Sequence, residues 1–312
     1  MRPQYATEQL IDLIKLACAV PTSQLTYTEA DWVNLATRCL QTIVVPLIMS
    51  TREEYFVTYV DVSSPADGMI PFPEHAVGSK LRNVCYVSQA SPLLLINMPR
   101  VDLDVVAGVG GFNAAAFGGF YIQGENIVLY PNGSVPTGTA FRLYYYRRCL
   151  ELAEPDNYGQ VQSIDSGTNT IVLDNVPTDW EVGTELNSVG SQPNFLVTNS
   201  SFEITAVSSP SIIVDDVTDI EVGDYITGVG YSAVPQIPIE AMNYLAQTVA
   251  VVALEGLGDR EGMQAAAEVA KQMKESLLVM ISQRVDGSVK KVIDPSGGIK
   301  VGAGLWGRKW GW

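Results

Sequence analysis

A segment near the middle of the chain is written twice. Ile171-Val172-Leu173-Asp174-Asn175-Val176, running on to Glu181-Val182-Gly183, returns as Ile212-Ile213-Val214-Asp215-Asp216-Val217 and Glu221-Val222-Gly223. The period is about 40 residues, with one insertion near Pro177. Each copy follows a further short alternating run, VQSID (161–165) in the first and FEITAVS (202–208) in the second. A unit of strand, turn, strand and glycine turn cannot bury its apolar face alone, so two copies must close on each other. The repeat therefore predicts a small pseudo-symmetric all-β barrel or sandwich over residues 155–236. Helical patterns stand on both sides of it, which marks it as an insertion.

Charge sets the same region apart. Residues 149–259 hold 17 acidic side chains and no Lys or Arg, whereas residues 1–148 have a net charge of −2 and residues 260–312 a net of +4. The whole excess of −15 therefore sits in one internal block. A surface without cations cannot grip phosphates, so this block is not expected to read nucleic acid. It is expected to solubilise, to repel DNA or to meet a basic partner.

Around the repeat the periodicity predicts helices, then strands, then helices. Leu10, Leu13, Ile14 and Ala17 recur at helical spacing, with Thr7 as a candidate cap and Pro21 as a stop. Thr28-x-x-Asp31 has the form of a capping box. It opens a helix with an apolar stripe of Trp32, Leu35, Ala36, Cys39, Leu40, Ile43 and Leu47, which Pro46 is expected to bend or end. From residue 53 the period becomes two, in EEYFVTYVDV, in a hairpin around Gly124 and in AFRLYYYRR. After Pro238, Met242, Leu245, Ala246, Val249 and Ala253 form a new helical stripe, closed by Gly256 and Gly258. A second helix follows, with a small-residue face of Ala266, Ala267 and Ala270.

The expected fold class is α+β. Residues 1–52 and 237–285 supply a helical bundle, 53–154 a β-rich layer, 155–236 the inserted acidic β domain and 286–312 an extended tail. No apolar run reaches the roughly eighteen residues of a bilayer span, so no membrane segment is expected. The N-terminal twenty residues, interrupted by Glu8, Asp12 and Lys15, make a poor secretory leader. Cys18, Cys39, Cys85 and Cys149 have no metal-ligand or disulfide spacing and are expected to be buried thiols made in a reducing cytoplasm.

The residues that catalysis would need are scarce. His75 is the only histidine, so zinc sites built on two histidines are excluded. No G-x-S-x-G elbow accompanies it, and its setting beside Pro73 and Glu74 suggests an ordinary surface loop. Gly108-x-Gly110 continues to Asn113 without a third glycine, and Asp102-x-Asp104 lacks the rest of a calcium loop. No catalytic, cofactor-binding or metal residue is expected. A two-carboxylate glycosidase, built on a pair such as Asp215-Asp216, is the enzyme alternative.

The last segment, DGSVKKVIDPSGGIKVGAGLWGRKWGW, has no periodicity and seven glycines, yet it carries three of the chain's five tryptophans. Indoles concentrate in binding hot spots, which makes Trp306, Arg308, Lys309, Trp310 and Trp312 the candidate partner-binding residues.

Several segments resemble structural proteins of tailed bacteriophages. They are Thr28–Val62, IPFPEHAVGSKLRNVCYV (70–87), GGFYIQGENIVLYP (118–131) and LYYYRRCLELA (143–153). Together they cover most of residues 25–153 and look like the head-to-tail adaptors that sit beneath the portal. The resemblance implies a virion protein of the neck, assembled in the host cytoplasm as a homododecameric ring. Its partners would be the portal ring above, a tail tube or nozzle protein below, and genomic DNA passing without sequence-specific binding. The smallest adaptors have no counterpart of the repeat unit, so a capsid-decoration or fibre-associated protein is the alternative.

Overall fold

The computed structural model describes residues 6–19, 26–73, 75–90, 93–101, 119–130, 135–190 and 201–282. The chain is mixed α+β, with four helices, several sheets and a closed six-stranded barrel among these residues. The expected tail (286–312), Gly108-x-Gly110 and Asp102-x-Asp104 lie outside them.

Helix α1 (Thr7–Ala17) starts one residue earlier than its polar cap suggests. Thr7 is the first helical residue, and its hydroxyl donates to the Ala233 carbonyl at 2.9 Å instead of capping. Helix α2 spans Glu29–Thr51. The capping box forms as expected: Asp31 N–H donates to the Thr28 hydroxyl at 3.2 Å and Thr28 N–H to the Asp31 carboxylate at 2.8 Å.

Pro46 neither ends nor breaks α2. The preceding turn, Leu40–Val44, widens to a π-helix, and Val45 N–H reaches back to the Leu40 carbonyl. Proline lacks its own N–H and crowds the carbonyl four residues back, and a wider turn relieves both problems. The extra residue rotates everything after it, so the buried stripe becomes Ala36, Leu40, Val44 and Ile48, and Ile43 is turned outward. The same helix is long and apolar enough to cross a bilayer by length and composition, which the apolar-run rule alone did not anticipate. Here Trp32, Val33, Ala36, Leu40 and Ile48 face the largest core of the protein.

That core is completed by helix α3 (Met242–Leu257) and helix α4 (Arg260–Ile281). All five stripe residues of α3 are buried. Gly258, at φ 77°, ends it in the left-handed conformation. Gly256 serves packing instead, because a Cβ there would lie 2.3 Å from the Tyr27 hydroxyl, which donates to the Ala253 carbonyl at 3.2 Å. On α4 only Ala266 of the small-residue face is buried, and Ala267 is exposed.

Two antiparallel sheets pack on a second core. One has the order β1 (Val57–Ser63), β7 (Ala140–Arg147), β3 (Ala76–Ala90), β4 (Leu93–Asn97). The other is β2 (Met69–Pro71), β6 (Asn126–Tyr130), β5 (Gly119–Gln123), with the expected hairpin at Gly124. Val84, Phe141 and Leu143 of the first meet Ile70, Phe120, Ile127 and Leu129 of the second.

The repeat folds as the closed barrel. Its strands are β9 (Tyr158–Asp165), β10 (Thr170–Leu173) and β11 (Glu185–Val189) from the first copy, with β12 (Phe202–Ser208), β13 (Ser211–Val214) and β14 (Tyr225–Gly228) from the second. They close in the order β10-β13-β12-β11-β14-β9. Equivalent residues pair with each other at two places: Ile171 with Ile212, and Asn187 with Thr227. A pseudo-twofold axis passes through both pairs.

Hydrogen bonds repeat with the sequence. Gly183 N–H donates to the Ile204 carbonyl at 2.8 Å, and Gly223 N–H to the Val161 carbonyl at 2.9 Å. Asp174 accepts from Gln160 N–H at 2.6 Å, and Asp215 from Glu203 N–H at 2.8 Å. The core repeats too, through Val161 and Ile204, Leu173 and Val214, Trp180 and Ile220, and Leu186 and Ile226. A chance likeness between two β segments would not reproduce the ladder, the turns and the core together. The short parallel pair β8 (Glu151–Leu152) and β15 (Tyr231–Ser232) joins the chain entering the barrel to the chain leaving it.

Candidate functional site

The residues singled out for partner binding, Trp306, Arg308, Lys309, Trp310 and Trp312, lie outside the described residues. Among the described ones, a groove of about 670 Å³ lies where four segments of the chain meet. Gln41, Val45, Pro46 and Met49 of α2 form one wall, His75 and Val77 at the start of β3 another, residues 148–151 the floor and Val229–Tyr231 the far rim.

A strap holds the floor in place. Arg148 N–H donates to the His75 carbonyl at 2.6 Å, and Leu150 N–H to the Gln236 side chain at 2.8 Å. Glu151 N–H reaches the Gly230 carbonyl at 3.3 Å, and Leu152 N–H the Thr37 hydroxyl at 3.1 Å. One short segment is thereby fixed to α2, to β3 and to the barrel exit. The preceding Arg147 is buried, its guanidinium 5.7 Å from the Tyr55 ring centre and 5.8 Å from that of Phe56.

His75 sits in the turn before β3, as its loop setting suggested, and is half-buried on this groove. Cys149 shares the groove, which raises the question of a cysteine–histidine pair. The thiol is not prepared for that role. Burial pushes its pKa up to about 12, and Sγ donates to the Gln236 carbonyl at 3.4 Å. A nucleophilic cysteine needs the opposite, an electropositive setting that favours thiolate. The groove is thus of mixed character: apolar side chains of α2 face Arg148, His75 and Glu151 across it.

The barrel's carboxylates are occupied locally. Asp165 accepts from Gly167 N–H and the Thr168 hydroxyl, both at 2.9 Å, and Asp216 from Thr218 N–H at 2.9 Å. The Thr168 and Thr218 hydroxyls hold these two carboxyls below the usual carboxylate range. Asp215, the other half of the glycosidase alternative, accepts from Glu203 N–H and Asp216 N–H. Acidic residues here stabilise turns, as Asp and Asn commonly do. Among the described residues, no group of three or more His, Cys, Asp or Glu side chains is arranged to hold a metal ion.

Sequence reasoning missed the groove because its lining comes from four distant segments, none with a motif of its own. The one available signal was His75, whose carbonyl rather than ring fixes the floor. No family model matches this chain, and no curated protein is similar enough to it to count as a match.

Proposed function

We propose that this chain is a non-enzymatic structural subunit of a tailed-bacteriophage virion. In this reading it is a head-to-tail adaptor whose copies form a ring between portal and tail, around the DNA channel. The observation that carries the proposal is where the adaptor-like segments fall. Thr28–Val62, residues 70–87, residues 118–131 and residues 143–153 are separate in the sequence, and they supply α2, most of the strands of the two packed sheets and the strap under the groove. The resemblance runs through the helical core and the sheets and leaves out the barrel.

The remaining parts take roles within that frame. Helices from the two ends of the chain, drawn around one apolar core, act as the bundle through which subunits pack. The barrel, whose carboxylates have no cation among them, lets DNA pass without adhering. Trp306, Trp310 and Trp312 anchor the tail on the portal, with Arg308 and Lys309 beside them. Multiple tails on one ring make modest affinity per tail sufficient.

A capsid-decoration or fibre-associated role is the second reading, favoured by one feature, a barrel with its own closed core. Labelling the protein on intact particles for electron microscopy separates the two. Label at the vertex between head and tail is expected, whereas label spread over the capsid or along fibres would sink the adaptor reading. Deleting residues 297–312 should leave a folded protein that no longer joins filled heads.

A further inference from the structure

The barrel is joined to the rest of the chain at two crossings. These hold to each other by only two residues a side, Tyr231 with Glu151 and Ser232 with Leu152. A ladder that short is marginal by itself and sets no angle. Yet one flank of the barrel is sealed. Along β11 and β14, Leu186 and Ile226 point into the barrel core, so Asn187, Val189, Tyr225 and Thr227 point outward. All four outward residues are buried, none more than 5% exposed. Something outside the barrel covers them.

The cover has two parts, and the chain leaving the barrel supplies the first. The Thr227 hydroxyl is within hydrogen-bond reach of the Tyr231 carbonyl, at 2.8 Å, and Ala233 and Val234 join Val189 and Tyr225 in a small core of their own. The second part comes from a distant stretch of sequence. Ala6 belongs to the same core, and Thr7, fully buried, gives both its donors to one atom. Its N–H reaches the Ala233 carbonyl at 2.8 Å and its hydroxyl the same oxygen at 2.9 Å. An N–H in the first turn of a helix has no partner within the helix, and this pairing supplies one from 226 residues away.

The rest of α1 faces a different body. Leu10, Ile11 and Ile14 lie in the helical core, and the Cys18 thiol donates to the Ala250 carbonyl of α3 at 3.9 Å. An eleven-residue helix is a rigid rod of roughly 16 Å. Its first turn is therefore pinned to the barrel's flank and the remainder to the bundle. The cores of bundle, barrel and junction share no residue.

We infer that the first turn of α1 is a clasp that fixes the angle between barrel and bundle. With Ala6 and Thr7 withdrawn, the junction core opens and the barrel turns on the β8–β15 crossing, while the barrel and bundle cores stay folded. Whatever captures the clasp therefore moves the acidic barrel without touching it. The inference goes beyond the adaptor reading and stands whether or not the chain belongs to a phage neck.

Variants of the full chain test it. Thr7→Pro removes both donors and keeps the helix start, because proline suits the first helical position. Ala6, at φ −63° and ψ 163°, already has the conformation that precedes proline. Ala6→Glu puts a charge into the junction core. Gln9→Ala is the control: it loses the bond from Ala6 N–H, 2.8 Å, and leaves the clasp in place. Spin labels at Val182→Cys on the barrel and Glu268→Cys on α4, both exposed, report the angle as a distance distribution, the four native thiols being buried. The unaltered clasp and Gln9→Ala should each give one narrow distance, and Thr7→Pro and Ala6→Glu a broad distribution. Hydrogen exchange at the Glu151 and Ala153 amides, which donate across the crossing, should quicken roughly tenfold or more in those two variants. Exchange at Val161 and Leu173 in the barrel should not change. A narrow distance retained in Thr7→Pro, a broad one with the clasp unaltered or in Gln9→Ala, or barrel amides that quicken together with the crossing overturns the inference.

Discussion

Asp61 and Arg142 face each other in register on β1 and β7 and form a two-point ion pair, 2.7 Å at each contact. The guanidinium also lies 4.0 Å from the centre of the Tyr59 ring. Arg142 holds the Asp61 carboxyl below the usual carboxylate range. A carboxyl with a depressed folded pKa contributes stability above its unfolded value, about 3.9, and loses it as the pH falls through the folded value. The Asp61 side chain is 54% exposed, so solvent screening limits the pair to about 0.5–1 kcal/mol. Denaturant melts of Asp61→Asn should show that loss at neutral pH and almost none near pH 2. A second residue-scale outcome concerns the thiols. All four cysteines are buried and free, with burial pushing the pKa of Cys18 up to about 11 and that of Cys149 up to about 12. A chromogenic disulfide reagent at mildly alkaline pH should react slowly with the native protein and should titrate four thiols once it is unfolded.

Among the elements, the barrel was the most legible in sequence, because repetition constrains pairing, turns and core at once. One position breaks its symmetry in a testable way. Phe202 fills the core of the second copy, whereas the corresponding place in the first is Gly159. A Cβ at Gly159 would lie 2.1 Å from the Asn175 carbonyl oxygen and 3.2 Å from Leu173 Cβ. Backbone cannot yield as a side-chain tip can, so Gly159→Ala should cost about 2–3 kcal/mol in a denaturant melt, although alanine is otherwise harmless in a strand. Helix α2 was legible only up to its π turn. Periodicity assumes one rotation per residue throughout, and the turn at Leu40–Val44 changes the phase in a way that no pattern of apolar residues reports. Gly256 shows the same limit from another side: glycine near a helix end suggests a stop, and the Tyr27 hydroxyl that packs against it is more than 200 residues away in the chain. The groove was illegible for that reason too, since α2, the start of β3, the strap and the barrel exit become neighbours only after folding.

At the scale of the whole molecule, the separation of charge is the property with the widest consequence. The block 149–259 has a net charge of −17, and the five cations of residues 286–312 stand in a separate segment. Two outcomes with DNA follow, depending on which part dominates. If the acidic barrel governs encounter, duplex DNA should bind no tighter than on the order of 0.1 mM at physiological salt. Lowering the salt should not help, because repulsion between like charges is screened less at low ionic strength. If the basic segment acts as a nucleic-acid arm, affinity should rise steeply as salt is reduced, by nearly one power of concentration for each phosphate neutralised. Fluorescence anisotropy of a labelled duplex, titrated from low to physiological salt, distinguishes the two slopes. The channel reading expects the flat one, and it expects deletion of residues 286–312 to leave the titration unchanged. A steep slope that the deletion abolishes would assign those residues to DNA and withdraw them from the portal. A channel subunit must let a polyanion slide past many copies of itself, and weak attraction multiplied around a ring would hold the DNA fast. The absence of cations over more than a hundred consecutive residues meets that requirement without any specific contact.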